Sequence, residues 1–319
     1  MPNPMVGAVI VCEGKIIGEG RHEFYGGPHA EVNAVNSVIE KEKLRESTIY
    51  VTLEPCAHTG KTGPCATALI DAGITRVVYS VSDPGATSGG GAQLLRDAGL
   101  EVIGDVEETA GAKLIERWLH SITTGRPWVT LKWAMSLDGR IAAADGTSQW
   151  ITGHETRAKV HRDRSDHDAI IVGINTVLVD NPRLTARTPE GELYPHQPLS
   201  IVMGQRDIPE DASIRQHPGG FEHVTDHNIK ELLESLGHRE VRSVYVEGGA
   251  TLASAFLAEH LVDEIHITMG PMLLGGPNLA VTDLGVSTMA EAHPLDIRGI
   301  DSLGDDIVVT ARPTRERSR

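Results

Sequence analysis

Apolar and polar positions divide the first part of the chain into alternating strand-like and helix-like segments. Short aliphatic runs predict strands, and apolar residues spaced by three and four predict helices. The predicted strands cover residues 5–12, 15–19, 49–53, 76–81 and 100–103, and the predicted helices cover residues 30–43, 67–72, 94–99 and 107–120. Glu13 and Gly14 separate the first two strands and predict a hairpin. This alternation indicates an α/β domain whose later strands are largely parallel.

A second α/β pattern follows the polar segment Ser121–Pro127, which glycine and proline interrupt. We place a domain boundary there, with a first domain over residues 1–122 and a second over residues 127–313. In the second domain, predicted strands cover residues 128–135, 169–172, 199–203, 244–247, 263–269 and 307–312, and predicted helices cover residues 155–164, 229–236 and 250–259. A further helix should stop at Asn181-Pro182. The glycine-rich stretch Gly89–Gly91 reads as a flexible connection.

Charge and composition exclude several classes of function. The net charge of −15 argues against a nucleic-acid coat or binding to an anionic membrane, and the 4% aromatic content disfavours a stacking surface for single strands. The chain lacks an apolar run of membrane-spanning length and a signal-peptide pattern. We therefore expect a cytoplasmic enzyme without nucleic-acid or membrane partners.

One stretch, from His29 to Cys65, carries a recognisable set of metal ligands. It contains H-A-E and P-C-x8-C, so that His29, Glu31, Cys56 and Cys65 follow in the order used by zinc deaminases. One imidazole and two thiolates suit Zn²⁺ with a fourth position left for water, whose pKa the ion would lower to roughly 7. Glu31 is then placed to move protons between that water, a ring nitrogen and departing ammonia. A closed structural zinc site would need a fourth protein ligand, and none is evident at close spacing.

The chemistry of the second half is less specific. Strand 244–247 runs into Gly248-Gly249 and a helix, which is an anion-binding geometry but also a common tight turn. Arg164 and Arg187 could hold a phosphate by their fork geometry, or could be solvated surface cations. Lys132 lies in an apolar strand and needs a charged partner, which Asp180 could supply unless that residue merely ends its helix.

Motifs from both halves together resemble one family. They are PNPMVGAVIV, HAEV, TLEPCAHTGKTGPC, LKWAMSLDGRIA, SQWIT, VGINTVLVDNPRLTAR and VEGGATLA. In this order they resemble the bifunctional riboflavin-biosynthesis enzymes, a pyrimidine deaminase fused to a uracil-derivative reductase. The resemblance implies a cytidine-deaminase-like α/β/α domain followed by a dihydrofolate-reductase-like α/β domain.

The resemblance also implies two reactions. The first is zinc-dependent hydrolytic deamination of 2,5-diamino-6-(5-phosphoribosylamino)pyrimidin-4(3H)-one. The second is reduction by NADPH of the ribosyl group of 5-amino-6-(5-phosphoribosylamino)uracil to a ribityl chain. The implied cofactors are Zn²⁺ and NADPH, and related enzymes suggest a homodimer or tetramer.

Site residues carry over position by position. The zinc ligands are His29, Cys56 and Cys65, with Glu31 as the catalytic proton shuttle. Pyrimidine or phosphate contacts in the deaminase match Asn3, His58 and Lys61. NADPH contacts in the reductase match Ala134, Trp150, Thr176, Asp180, Gly249, Ala250, Thr251, Leu252, Ala253, Ser254 and Ala255. Substrate contacts match Ser148, Arg164, Leu184, Arg187 and Glu247, and polar positions near hydride transfer match Lys132 and Asp180.

Two departures from the family leave alternatives open. Members carry a helix before the PNP motif, which here directly follows Met1, so we expect exposed apolar surface on the first sheet. Gln205 stands where a small polar residue near the cofactor is usual, which leaves the choice between NADPH and NADH open. The competing hypotheses are a nucleoside or tRNA-type deaminase with an unrelated C-terminal domain, and a reductase carrying a non-catalytic zinc scaffold.

Overall fold

The chain divides after Gly125 into two units, Met1–Gly125 and Arg126–Arg319. The structure is a computed structural model that describes residues 3–24, 26–59 and 63–314. The first four residues of the predicted boundary segment, 121–124, form the last turn of a helix rather than a linker. Within the described residues, no helix is both long enough and apolar enough to cross a membrane.

A five-stranded sheet with the order β2-β1-β3-β4-β5 forms the first unit. Strand β1 is antiparallel to β2 and β3, whereas β3, β4 and β5 are parallel. The strands are β1 (Gly7–Cys12), β2 (Lys15–Arg21), β3 (Thr48–Leu53), β4 (Arg76–Val81) and β5 (Glu101–Ile103). The helices are α1 (Ala30–Ser37), α2 (Cys65–Asp71), α3 (Gly91–Asp97), α4 (Glu108–Leu114) and α5 (Glu116–Thr124), with a 3-10 helix at Lys41–Glu46.

Backbone geometry explains how β1, β2 and α1 fit together. Glu13 and Gly14 have φ values of 49° and 74°, which are the left-handed conformations that a two-residue hairpin requires. Helix α1 lies so close to β2 that a Cβ on Gly20 would come within 2.2 Å of the Ala30 carbonyl oxygen. Glycine in β2 therefore allows α1 to pack on the sheet and sets the position of the residues at its N-terminus.

Two predicted helices are shorter than the apolar spacing indicates. Helix α1 ends at Ser37 because buried Val38 takes an extended conformation, and the Lys41 ammonium donates to the Val35 carbonyl at 2.6 Å. The helix predicted over residues 107–120 is broken at Ile115. Ile115 is buried in a small cluster with Leu53 and Val81, so tertiary packing overrides helix propensity there.

The prediction of a flexible connection at Gly89–Gly91 was wrong. Gly91 is the first residue of α3, and a Cβ at this position would lie 1.7 Å from the Pro55 carbonyl oxygen. The glycine is needed for close backbone approach, which brings the start of α3 against the segment that carries Cys56.

The second unit contains an eight-stranded sheet with the order β12-β13-β11-β6-β10-β7-β8-β9. Strands β11, β6, β10, β7, β8 and β9 run parallel, and β13 and β12 are antiparallel. They are β6 (Trp128–Ser136), β7 (Ala169–Gly173), β8 (Leu199–Met203), β9 (Phe221–Val224), β10 (Ser243–Glu247), β11 (Glu264–Gly270), β12 (Leu295–Leu303) and β13 (Asp306–Pro313). The helices are α6 (His154–Ser165), α7 (Ile174–Asp180), α8 (Ile229–His238) and α9 (Ala250–Ala258).

Both faces of this sheet are covered, as the apolar parallel strands require. On one face Leu131 and Val246 belong to a core with Leu233 of α8 and Phe256 of α9. On the other face Ile170 and Tyr245 pack with residues of α6 and α7. Because β6 and β10 are adjacent and parallel, Glu247 at the end of β10 pairs with Lys132 in the middle of β6.

Candidate active sites

Three metal-ligand side chains of the first unit come together around one point. His29 immediately precedes α1, Cys65 is the first residue of α2, and Cys56 follows β3. Their ligand atoms all lie within 4.8 Å of one another. The His29 Nδ1 atom is 3.1 Å from Cys65 Sγ and 3.6 Å from Cys56 Sγ. A tetrahedral zinc ion with ordinary Zn–N and Zn–S bonds separates its nitrogen and sulfur ligands by about 3.6 Å. The donor set therefore fits Zn²⁺.

A hydrogen bond connects the side chains of Cys56 and Cys65. A hydrogen bond from Cys65 lowers the pKa of the Cys56 thiol to about 4, and His29 acts in the same direction. The same hydrogen bond, together with burial, raises the pKa of Cys65. The Cys65 backbone N–H also donates to Cys56 Sγ at 3.4 Å. These contacts favour the thiolate form of Cys56, which is the form of cysteine that binds a metal ion.

Glu31 lies beside these ligands and is buried, with 3% of its surface exposed. Burial raises the pKa of its carboxyl group to about 7, and a hydrogen bond with Cys65 opposes the shift. A carboxyl group in this position can accept and release a proton close to the sulfurs. The sequence-based role of Glu31 stays a prediction that this geometry allows.

Asn3 and His58 lie in the described part of the first unit, and Lys61 lies outside the described residues. The Asn3 amide donates to His22 Nε2 at 2.9 Å, and the His22 ring lies edge-on to His29 with 5.6 Å between centroids. Asn3 is therefore one contact from the metal ligands. The His58 Nδ1 atom is buried without a hydrogen bond to any described residue, as expected of a group that awaits a ligand.

Glu54 fixes the segment that carries Cys56, and the sequence analysis missed it. Its carboxylate accepts hydrogen bonds from the backbone N–H groups of Asp83 at 3.0 Å and Ala92 at 2.9 Å. The side chain is 8% exposed, so these bonds join the end of β3 to the segments after β4 and at the start of α3. The available signal was an acidic residue placed between a buried strand and Pro55-Cys56.

The second unit contains a cavity of about 660 Å³ at the carboxyl ends of β6 and β10. Eleven of the predicted reductase residues line it: Lys132, Ala134, Ser148, Trp150, Arg164, Thr176, Asp180, Leu184, Arg187, Glu247 and Gly249. These residues come from strands, helices and loops far apart in the sequence. Their convergence makes this cavity the candidate reductase site.

Arg164 and Glu247 form a bidentate ion pair at the cavity wall. Arg164 Nε is 2.6 Å from one carboxylate oxygen and Nη2 is 2.9 Å from the other, and Nη1 donates to the Thr185 carbonyl at 3.2 Å. Burial disfavours the charge on Glu247, yet the Arg164 guanidinium holds the pKa of that carboxyl below its usual value. These bonds use three of the five N–H donors of the guanidinium, which leaves two for a ligand. The role of Arg164 as a substrate contact stays a prediction.

The charged partner of Lys132 is Glu247 and not Asp180, the residue predicted from the sequence. Its ammonium lies 4.0 Å from Glu247, and burial lowers the pKa of Lys132 while Glu247 opposes the shift. Asp180 is exposed and is the last residue of α7, so the alternative that it ends its helix is the one observed. The proposal that Asp180 neutralises Lys132 is corrected accordingly.

Arg187 and Trp150 present groups that a ligand can use. Arg187 donates from Nε to Thr185 Oγ1 at 2.9 Å and from Nη1 to the Gly191 carbonyl at 2.8 Å, which fixes the guanidinium. Trp150 is 66% exposed, and the Arg157 guanidinium carbon lies 4.4 Å from its ring centroid. Both side chains are held in place while their outer surfaces face the cavity.

The structure places the first residue of the predicted contact segment Gly249–Ala255 at the cavity. Gly249 lines the cavity, and within the described part of the chain nothing lies within 4 Å of a Cβ built there and no side chain caps the N-terminus of α9. The cavity therefore offers space and uncapped N–H groups that suit the phosphates of NADPH. Residues 250–255 lie outside the lining, and the side chains of Ala253 and Ser254 are buried. Of this segment, the backbone of the first turn is what a cofactor could reach.

Thr185 and His161 are polar residues of the cavity that the sequence analysis did not single out. Thr185 accepts at its carbonyl from both His161 and Arg164, and its hydroxyl accepts from Arg187. His161 lies three residues before Arg164 on α6 and also lines the cavity. The spacing of three placed it on the same helix face as a residue already singled out.

Each of the two units contains a match to a known protein family. Residues 1–81 match the cytidine and deoxycytidylate deaminase zinc-binding region, and residues 127–309 match the RibD C-terminal domain. The riboflavin biosynthesis protein RibD of Mycobacterium tuberculosis is 44% identical over 97% of this chain and 91% of its own length. That of Corynebacterium ammoniagenes is 46% identical over 92% of this chain and 84% of its own length.

Solved structures agree with these matches. Acinetobacter baumannii RibD superposes with a TM-score of 0.91 at 37% identity, covering 98% of this chain and 93% of that one. A diaminohydroxyphosphoribosylaminopyrimidine deaminase/5-amino-6-(5-phosphoribosylamino)uracil reductase from Thermotoga maritima gives a TM-score of 0.84 at 36% identity, with the same coverage. The predicted fold class, a cytidine-deaminase-like domain followed by the reductase domain of these enzymes, is confirmed. The chain belongs to the RibD family of riboflavin biosynthesis proteins.

Proposed function

We propose that His29, Cys56, Cys65 and Glu31 carry out the deaminase step of riboflavin biosynthesis and that the cavity at β6 and β10 carries out the reductase step. As a RibD-family chain, the protein is a bifunctional deaminase and reductase that depends on zinc and NADPH. The alternative of a nucleoside or tRNA-type deaminase with an unrelated second domain is not favoured. The observation that supports the residue assignment best is the gathering of His29, Cys56 and Cys65 around one point beside a buried carboxyl group.

In the deaminase site, each side chain has a separate task. When bound, Zn²⁺ lowers the pKa of water and so makes it nucleophilic at neutral pH. His29, Cys56 and Cys65 would hold the ion, and as three protein ligands they would leave a position for water. Glu31 takes one proton from the attacking water and gives it to the pyrimidine ring nitrogen. It then moves the second water proton, from the hydroxyl group added to the ring carbon, to the amino group, which leaves as ammonia. Asn3 and His58 orient the pyrimidine, and this part of the assignment rests on the family motif and on their place near the ligands.

In the reductase cavity, the chain positions two ligands and shields them from water. NADPH supplies the hydride when bound. The N-terminal turn of α9 receives its phosphates, and Arg187 binds the phosphate of the substrate. Lys132, kept close to Glu247, lies near the sugar that is reduced and can donate a proton to its oxygen. A cytoplasmic location and assembly into a homodimer or tetramer stay predictions from the sequence.

Separate assays of the two reactions test this proposal. Glu31→Gln should retain zinc, lose ammonia release from 2,5-diamino-6-(5-phosphoribosylamino)pyrimidin-4(3H)-one by about 10³-fold or more, and oxidise NADPH normally with the uracil substrate. Normal deamination by this variant would remove Glu31 from the mechanism. Zinc without ammonia release in the unaltered chain, together with NADPH oxidation, would favour the scaffold alternative.

A further inference from the structure

The imidazole of His161 is a cavity group whose hydrogen-bonding state the structure defines. Its Nδ1 atom lies 2.9 Å from the Thr185 carbonyl oxygen, which can only accept a hydrogen bond. Nδ1 must therefore carry the proton, and in the neutral ring Nε2 is left as an acceptor. His161 lines the reductase cavity, and among the described residues the hydrogen bond of its ring is the one made by Nδ1.

The surroundings keep this ring neutral. Burial lowers the pKa of His161 and the nearby charge of Arg164 adds to this effect, whereas the Thr185 carbonyl and Glu247 oppose it. The charged groups that share the cavity come from α6, α7, β6, β10 and the loop before β8: Arg157, Arg164, Asp180, Lys132, Glu247, Arg183 and Arg187. Cations outnumber anions among these groups, so a further positive charge on the His161 ring is disfavoured.

Because Nε2 of the neutral His161 ring can only accept, the ligand group that contacts it must donate a hydrogen bond. A phosphate dianion has no proton to donate to such an acceptor. The substrate of the proposed reductase carries a ribosyl group, whose hydroxyls can donate. We infer that His161 is a specificity-determining residue of the reductase, accepting at Nε2 a hydrogen bond from a hydroxyl of the ribosyl group. This inference rests on the proposed function of the cavity.

Two substitutions at His161 distinguish hydrogen bonding to the substrate from a packing role of the ring. His161→Phe keeps a ring but removes the acceptor, and should raise the KM for 5-amino-6-(5-phosphoribosylamino)uracil about tenfold, the effect of one lost hydrogen bond. The KM for NADPH should stay the same. His161→Gln places an oxygen within reach of the same point and should recover most of the lost affinity. His154→Phe, the same change at an exposed position of α6, is the matched control and should behave as the unaltered chain.

Two further readouts identify the hydrogen-bond donor and the acceptor. The kcat/KM of the unaltered chain should be about tenfold lower for either the 2′-deoxy or the 3′-deoxy form than for the full substrate. For His161→Phe, kcat/KM should be the same for that deoxy form and for the full substrate. In the unaltered chain, kcat/KM should fall at acid pH, where protonation converts Nε2 into a donor. This fall should be absent in His161→Gln, which does not titrate.

The outcomes are distinguishable. If the unaltered chain does not oxidise NADPH with the uracil substrate, the proposed function fails. If it does, but His161→Phe has an unchanged KM or loses equally on all three substrates, the inference on His161 alone is overturned. Should His161→Phe fail to fold, an acid limb of the pH profile that persists in His161→Gln would overturn the inference equally well.

Discussion

Replacing Glu247 by glutamine keeps the shape of the side chain and removes the charge that two buried cations face. Arg164 contacts both carboxylate oxygens, and Lys132 lies 4.0 Å from one of them. The side chains of Arg164 and Glu247 are 14% and 12% exposed, so water cannot replace the lost charge. Breaking such a buried pair costs about 3–5 kcal/mol, because the remaining cation is left uncompensated.

Urea denaturation of the full chain measures this cost. With a slope of about 2 kcal/mol per molar urea, a loss of 3–5 kcal/mol lowers the midpoint of the reductase transition by about 1.5–2.5 M. The two units can unfold separately, so far-UV circular dichroism should be combined with reductase activity to assign the transition. The midpoint of the first unit should not change, because Glu247 belongs to the second.

The second unit offers a matched control on its surface. Arg239 and Glu222 also form a bidentate pair, with distances of 2.5 Å and 3.0 Å, but their side chains are 45% and 35% exposed. Exposed pairs contribute about 0–1 kcal/mol, so Glu222→Gln should lower the midpoint by less than about 0.5 M. Equal effects of the two substitutions would refute the argument that burial makes the Arg164–Glu247 pair critical.

Three further predictions follow from individual contacts. Glu54→Ala leaves one buried and one part-buried N–H group without an acceptor, so the first unit should lose about 2–3 kcal/mol of stability and part of its zinc, measured by urea midpoint and metal content. Unchanged zinc content and midpoint would contradict the anchoring role. Arg187→Ala should raise the reductase KM for the phosphorylated substrate about tenfold with little change in kcat, and an unchanged KM would remove Arg187 from phosphate binding. For Asp163, burial opposes ionisation, but contacts with His266 and Lys159 hold the pKa of the carboxyl at about 2. Because the unfolded value is about 3.9, this stabilisation is present above pH 4 and is lost as the pH falls towards 2, so Asp163→Asn should flatten the acid dependence of the urea midpoint. If the urea midpoint of Asp163→Asn fell with pH as steeply as that of the unaltered chain, the stabilising role of ionised Asp163 would be contradicted.

Strands and turns whose determinants are local could be predicted from the sequence. The hairpin at Glu13-Gly14 is one example, and strand β4 has the predicted bounds of Arg76–Val81. Strand β12 was missed for a physical reason. It is largely exposed, and a bulge between Ile297 and Gly299 shifts the register, so the alternation of apolar and polar residues that identifies a strand is broken. The residues of β12 alone do not indicate that the segment pairs with β13.

The candidate sites show the same division. His29, Cys56, Cys65 and Glu31 could be identified because residue type and spacing reflect the chemistry directly. The partner of Lys132 could not, because Glu247 reaches it through the parallel pairing of β10 with β6. Glu54 was overlooked because its two hydrogen-bond donors are backbone groups, which carry no residue-specific signal.

Zinc K-edge X-ray absorption of the purified full chain tests the central claim most directly. The account predicts one zinc ion per chain with two sulfur neighbours at about 2.3 Å and two nitrogen or oxygen neighbours at about 2.0–2.1 Å, one of them from water. A chain without stoichiometric zinc, or a zinc ion surrounded only by protein ligands, would contradict the assignment of His29, Cys56 and Cys65 as an open catalytic site.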